Sequence, residues 1–264
     1  MSFKKRTVVA AVAGILFLGC VSRRVVPSPG HSADWGVEVT WHGHSCFSFR
    51  DANGRVVVID PFDETVGYRP LKLYADAVLI THNHFDHNNI QAVFPFGRSS
   101  LKIVDSTGTV RSAGFDFQAL QADHDDQGGE INGRTLLMVW RMGGLKIAHL
   151  GDLGQKQLTA EQREALQGVD LLFIPVGGVV TLDAPGAAEI VREIAPRAVF
   201  PMHYGRPEVR FYPLDPVDPF LALFPPDQVH RLSGATVRIS RKDLTDKTVI
   251  YVPGSFVSTN VPNQ

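Results

Sequence analysis

Between Thr81 and His87 the chain reads Thr-His-Asn-His-Phe-Asp-His, which places three imidazoles and a carboxylate within six consecutive positions. Imidazole nitrogen and carboxylate oxygen are the donors that borderline divalent metals such as zinc prefer. The chain has 10 histidines in 264 residues, so a solvated polar loop is a poor explanation for three of them gathered here. His82 and His84 can point the same way from an extended segment, whereas Asp86 and His87 come off the turn that follows. Two adjacent metal ions fit that arrangement better than one. The chemistry such a pair supports is activation of water for hydrolysis.

The elements that must position these groups read mostly as strands. Apolar and alternating runs predict strands over 37–41, 46–50 and 56–59, the last two joined by the turn residues Asp51-Ala52-Asn53-Gly54. A short, wholly apolar strand is expected over 75–80. Further candidates lie at 102–104, 115–120, 135–140, 146–150, 171–176, 198–201, 235–240 and 248–252. Thr159-x-x-Gln162 is a capping box opening a helix that stops at Gly168. A second helix runs from Asp183 to 194 and is closed by Pro196, and a short third is expected over 219–224. Helices between strands in the second half favour a two-sheet sandwich with helices on its outer faces over a single doubly wound sheet. Four of the predicted strands end in a potential donor: the strand at 75–80 runs to His82, that at 115–120 to Asp123-His124, that at 146–150 to Asp152, and that at 198–201 to His203. Strand ends held by a rigid scaffold are where reactive groups gather.

Length suits one large domain, and a net charge of −1 gives no reason to expect a nucleic-acid surface. The first twenty residues differ in kind. Lys4-Lys5-Arg6 precede an apolar run from Val8 to Leu18, too short for a comfortable membrane span, and Gly19-Cys20 follows. This resembles a bacterial lipoprotein signal with Cys20 as the lipidated residue; an uncleaved N-terminal anchor is the alternative. Residues 1–20 are therefore expected to be a signal peptide and anchor, 21–33 a flexible Pro- and Ser-bearing tether, and 34–264 the functional domain. The expected location is the cell envelope or periplasm. With Cys20 lipidated, Cys46 is the only other thiol, and its place in an apolar strand marks it as a small buried residue.

His82-x-His84-x-Asp86-His87, together with His124, Gly151-Asp152 and His203, resembles the metallo-β-lactamase fold of binuclear hydrolases, an α/β fold built as an αβ/βα four-layer sandwich. The runs from Ile147 to Gly154, Ile174-Pro175-Val176-Gly177-Gly178 with Thr181, and Pro201-Met202-His203-Tyr204 resemble the branch of ascorbate-6-phosphate lactonase-like proteins. The segments from Trp41 to Phe47 and from Ile59 to Phe62 resemble that branch's opening strands. The likeness covers roughly residues 35–206.

The resemblance implies that His82, His84 and His124 hold one metal, that Asp86, His87 and His203 hold a second, and that Asp152 bridges them. Zinc is the expected ion, with manganese or iron also acceptable to these donors. It implies a hydrolase in which a hydroxide shared by the metals attacks an ester, lactone or phosphoester, with Asp86 orienting it or passing on its proton. His44 and Tyr204 are candidate substrate contacts; for His44, support of a ligand from behind and a purely structural role are the alternatives. Asp60, before Pro61, is a candidate to fix the tautomer of a ligand histidine or simply a turn residue. His42 is expected to be structural, and His149 to pack in the core or to support the ligands from behind. A membrane-lipid phosphodiesterase similar to N-acyl-phosphatidylethanolamine phospholipase D, and a non-catalytic metal-binding envelope protein, are the competing readings. The expected partner is a small-molecule or lipid substrate, with the membrane engaged through the lipid anchor; the sequence is silent on oligomeric state.

Overall fold

The computed structural model of the chain describes residues 35–254 except 97–99, 208 and 210–212. The expected anchor with Cys20 and the expected tether lie outside the described residues. In Val37–Gly43 (β1) burial alternates residue by residue, which commits one face to a core. β2 (Cys46–Arg50) and β3 (Val56–Ile59) follow it as an antiparallel meander. Next come β4 (Leu73–Ala75), β5 (Ala77–Leu79), β6 (Val93–Pro95) and β7 (Lys102–Val104). β8 (Gly108–Ser112), β9 (Phe115–Asp123), β10 (Arg134–Met142) and β11 (Leu145–His149) form a second meander. The remaining elements are α1 (Ala160–Leu166), β12 (Leu171–Pro175), α2 (Ala184–Ile194), β13 (Ala198–Met202), α3 (Asp218–Leu221), β14 (Val229–Arg231), β15 (Thr236–Ile239) and β16 (Val249–Val252).

These strands build a six-stranded sheet in the order β15-β1-β2-β3-β5-β7 and an eight-stranded sheet in the order β14-β16-β13-β12-β11-β10-β9-β8. Aromatic residues join their inner faces. Phe47 and Phe49 meet Phe173 edge-to-face at 4.7 and 5.1 Å, and Phe49 meets Trp140 at 4.9 Å. Every residue of β12 and β13 is buried, as in strands covered on both sides. Ala165 and Leu166 of α1, with Ala187, Ile190 and Val191 of α2, supply the outer cover. The outer face of the six-stranded sheet carries a smaller core of Cys46, Val58, Phe62, Val66, Val78 and Val93. A 3-10 turn (Glu64–Val66) and the two-stranded ribbon β4–β6 close that side among the described residues.

The capping signals were locally sufficient. Thr159 Oγ1 accepts from Gln162 N–H at 3.2 Å and Gln162 Oε1 accepts from Thr159 N–H at 2.9 Å. Asp183 Oδ1 accepts from Gly186 N–H, and α2 ends at Ala195 in the left-handed region, just before Pro196. One expectation needs correcting. The strand expected over 75–80 is two strands that belong to different sheets. Asp76 separates them: its N–H donates to Val56 O at 2.8 Å, and its carboxylate accepts from Val56 N–H at 2.9 Å.

Pairing directions decide where the site lies. β9 and β11 both run antiparallel to β10, and β11, β12 and β13 are mutually parallel. The C-terminal ends of β9, β11, β12 and β13 therefore open on one edge of the sandwich. The loop leaving β9 is held by Asp125, whose buried carboxylate accepts four N–H bonds, from Gln127, Gly129, Ile131 and Asn132, at 2.8–2.9 Å. Burial would raise its pKa, but those four donors prevail and bring it down to about 2.

Candidate metal centre

The predicted donors arrive at this edge from separate strand ends. His82 and His84 follow β5 within bends over 81–84 rather than an extended segment, and Asp86 and His87 lie in the turn behind Phe85. His124 is the first residue past β9, Asp152 sits in the turn after β11, and His203 is the first residue past β13. The turn between β1 and β2 adds His44, whose ring centre is 4.1 Å from that of His203.

The structure brings all seven expected ligands together, in overlapping groups. His82, His84 and His124 form one, His44, Asp86, His87 and His203 a second, and His82, His87 and Asp152 lie between; within each, the donor atoms are within 4.8 Å of one another. At the middle is Asp152 Oδ2. The Nε2 atoms of His203, His87, His124 and His82 lie 3.0, 3.1, 3.3 and 3.8 Å from it. All of these residues are buried except His84, which is exposed to the cleft.

Hydrogen bonds behind the rings set their tautomers. His87 Nδ1 lies 3.0 Å from Asp60 Oδ2, an acceptor, so the ring donates there and keeps Nε2 for the centre. His124 Nδ1 donates in the same way to Val180 O at 2.9 Å. The Thr81 hydroxyl gives its one proton to Asp60 Oδ2 at 2.7 Å and must therefore accept from His82 Nδ1 at 3.0 Å. Three lone pairs thus face one carboxylate oxygen, an arrangement that repels unless positive charge sits among them. His87 Nε2, His203 Nε2 and Asp152 Oδ1 are moreover buried with no hydrogen-bond partner. Nitrogen and oxygen donors of this kind, convergent and otherwise unsatisfied, fit divalent cations.

Electrostatics agree. Burial alone would depress His87, but Asp152, Asp86 and Asp60 outweigh it and hold the ring well above the usual range. Asp152 likewise outweighs burial at His124 and raises it. His82 is pushed down to about 2 by burial and by His87. His84 falls too, through burial and His124. Burial opposes ionisation of Asp152 and Asp86, yet His203 and His87 hold the first well below the carboxylate range, and His87 and His44 do the same for the second. The centre rewards positive charge, and its crowded rings cannot all supply it as protons. A metal can replace those protons.

The two expected substrate contacts are both buried. His44 has no exposed surface; burial and His203 lower it to about 4, so its neutral ring donates from Nε2 to Asp86 Oδ2 at 3.1 Å. Tyr204 stacks on Trp41 with ring centres 6.0 Å apart. His42 bonds Ser48 Oγ, and His149 Nε2 donates to Ser45 O while its Nδ1 accepts from Gly151 N–H. Sequence reasoning missed Thr81 and the Val180 carbonyl; Asp60 had a visible signal only in its place before a proline at a strand end. Two glycines allow the close packing. A Cβ on Gly154 would lie 2.5 Å from His124 C, and one on Gly177 would lie 2.1 Å from His203 O.

Residues 38–203, which include every donor named above, match the family model of the Beta-lactamase superfamily domain. A UPF0173 metal-dependent hydrolase of Thermoplasma acidophilum is 32% identical over 190 residues, 64% of this chain and 83% of that one. Among solved structures, a candidate Zn-dependent hydrolase of the metallo-beta-lactamase superfamily from Thermotoga maritima aligns with a TM-score of 0.66 at 30% identity. It covers 83% of this chain and 100% of its own. A candidate metal-dependent hydrolase from Parabacteroides distasonis, 23% identical with a TM-score of 0.50, shares the fold over 64% of this chain and 83% of its own.

The brace behind the rings is testable. Asp60→Asn should weaken metal binding about 10–100-fold, as loss of an orienting carboxylate does elsewhere. Thr81→Val, which removes the His82 contact and one donor to Asp60 but leaves the Asp60–His87 bond, should have the smaller effect. Metal titration of folded protein checks both, and unchanged affinity in Asp60→Asn would contradict the brace.

Proposed function

The chain belongs to the beta-lactamase superfamily as a metallo-β-lactamase-fold, UPF0173-type metal-dependent hydrolase, and from that premise we propose that its centre holds two divalent cations and cleaves an ester, lactone or phosphoester. His82, His84 and His124 would hold one ion and Asp86, His87 and His203 the other, with Asp152 between them. The observation that carries this reading is the convergence of four Nε2 atoms on Asp152 Oδ2. The donor set favours zinc and also accepts manganese or iron. When bound, such ions supply Lewis acidity and bring the pKa of water towards neutrality.

The chain's own residues do the rest. Asp86, kept ionised and turned by the His44 Nε2–H, accepts a proton from the attacking water and passes it towards the leaving group. Asp60 and Thr81 hold His87 and His82 in the tautomers that present Nε2. Above them opens a cleft of about 340 Å³, walled by Asn83, Phe85, Asn132 and Val180. Asp86, His124 and Asp152 at its floor are buried, and His84 is exposed to it. The likeness of 147–154 and 174–178 to lactonase-like proteins favours carboxylic substrates within the proposed range. A membrane-lipid phosphodiesterase is the alternative, motivated by the basic-apolar-cysteine N-terminus. That same N-terminus supports a lipid on Cys20 and a place at the cell envelope for the domain over 34–264.

Metal analysis and a panel of esters, lactones, phosphodiesters and N-acyl-phosphatidylethanolamine vesicles test the reading. We expect about two ions per chain, and loss of turnover on chelation that zinc restores. His84→Ala and Asp152→Ala should each lose on the order of 100-fold or more in activity, at least the effect of losing an outer-shell partner. Wild-type turnover in Asp152→Ala would overturn the centre. Metal uptake without turnover on any substrate would leave a metal-binding envelope protein, and turnover of the lipid alone would leave the phosphodiesterase. For the anchor, Cys20→Ser should move the protein from the membrane to the soluble fraction, and its retention in the membrane would count against lipidation.

A further inference from the structure

Three of the large apolar side chains left exposed gather around the metal cleft. Phe85, Ile131 and Val179 are exposed by 46, 64 and 60%. They come from three loops, following β5, β9 and β12, and each loop is tied to a donor. Phe85 lies between His84 and Asp86, and Ile131 lies in the loop that begins at His124. Val179 precedes Val180, whose carbonyl holds the His124 ring. Phe85 and Val180 wall the metal cleft, and Val180 and Asn132 also wall an adjoining groove of about 460 Å³ that contains Ile131, Val179 and Leu182. Val180 is thus common to both cavities, with Phe85 in the cleft and Ile131 and Val179 in the groove.

Two further features bear on what lies there. Val179 is a β-branched residue at φ 60°, a conformation such residues avoid. It is held in place by Val180 N–H to Gly178 O and Leu182 N–H to Leu153 O. A strained backbone that presents an apolar side chain to solvent beside a reactive centre points to use of that side chain. The groove is also acidic. Asp125, Asp126 and Asp183 line it, and Lys156, the one cation among its described lining residues, is paired with Asp126 at 3.0 Å. Such a lining repels a phosphate or other anion and leaves uncharged hydrocarbon to gain by burial.

We propose that this groove is an acyl subsite, and that the substrate is a soluble carboxylic ester or lactone carrying an aliphatic chain laid across Val180 between Ile131 and Val179. The inference rests on the hydrolase reading above and narrows it. Cleft and groove are each of the size that takes small molecules.

The test compares p-nitrophenyl acetate with p-nitrophenyl decanoate on the full-length, zinc-loaded protein, and measures binding of uncharged 1-decanol by calorimetry. The decanoate ester should have the higher kcat/KM by at least ~10-fold, mostly through KM, as burial of added methylenes gives. In the double variant Ile131→Asp/Val179→Asp that ratio should fall towards one while bound metal per chain stays at the wild-type value. Both side chains are exposed, so folding does not depend on them. A ratio near one in the unaltered protein, or an unchanged ratio in the variant, would overturn the acyl subsite and leave hydrolysis standing. If neither ester turned over, the hydrolase reading alone would suffer and 1-decanol binding would decide the groove. Binding ~10-fold weaker in the variant supports it, and equal binding overturns it.

Discussion

Asp152 buries a carboxylate oxygen among four imidazole nitrogens, and a charge removed from water must be compensated where it lies. The compensation comes from parts of the chain more than a hundred residues apart, since His82 and His203 flank the same oxygen. Only a scaffold that fixes several strand ends at once can hold such a set. The parallel run of β9, β11, β12 and β13 does this, and the aromatic contacts between Phe47, Phe49, Trp140 and Phe173 lock the two sheets behind it. The site is thus a consequence of sheet register as much as of residue type.

The same edge concentrates backbone that is otherwise rare. Of the six non-glycine residues with positive φ among the described residues, His44, Asp60, Val179 and His203 all belong to the centre or its rim. Each such residue costs about 1–3 kcal/mol, which a well-packed core can offset. The reward is aim. His203 leaves β13 turned inward, Asp60 reaches both Thr81 and His87, and His44 reaches Asp86. Rings held from behind in one tautomer do not have to reorganise when a cation arrives.

Much of this was legible locally. The 82–87 run, the capping box at Thr159 and the donors past 120, 150 and 201 each announce themselves within a few residues. What was not legible depends on distant partners. The break at Asp76 follows from its bonds to Val56, twenty residues away, and an apolar run gives no sign of it. β8 is a largely exposed edge strand with little apolar pattern to detect. His44 reads as a residue near the site, but only packing against His203 and Asp86 shows that it has no surface to offer a ligand.

If Asp152 lies between two cation sites, as proposed, anomalous diffraction from crystals of the zinc-loaded protein will locate both. Data collected on either side of the zinc absorption edge should show two peaks about 3.5–4 Å apart, on either side of Asp152. One should lie among His82, His84 and His124, and the other among Asp86, His87 and His203. A single peak, or zinc bound away from Asp152, would rule out a carboxylate shared between two sites.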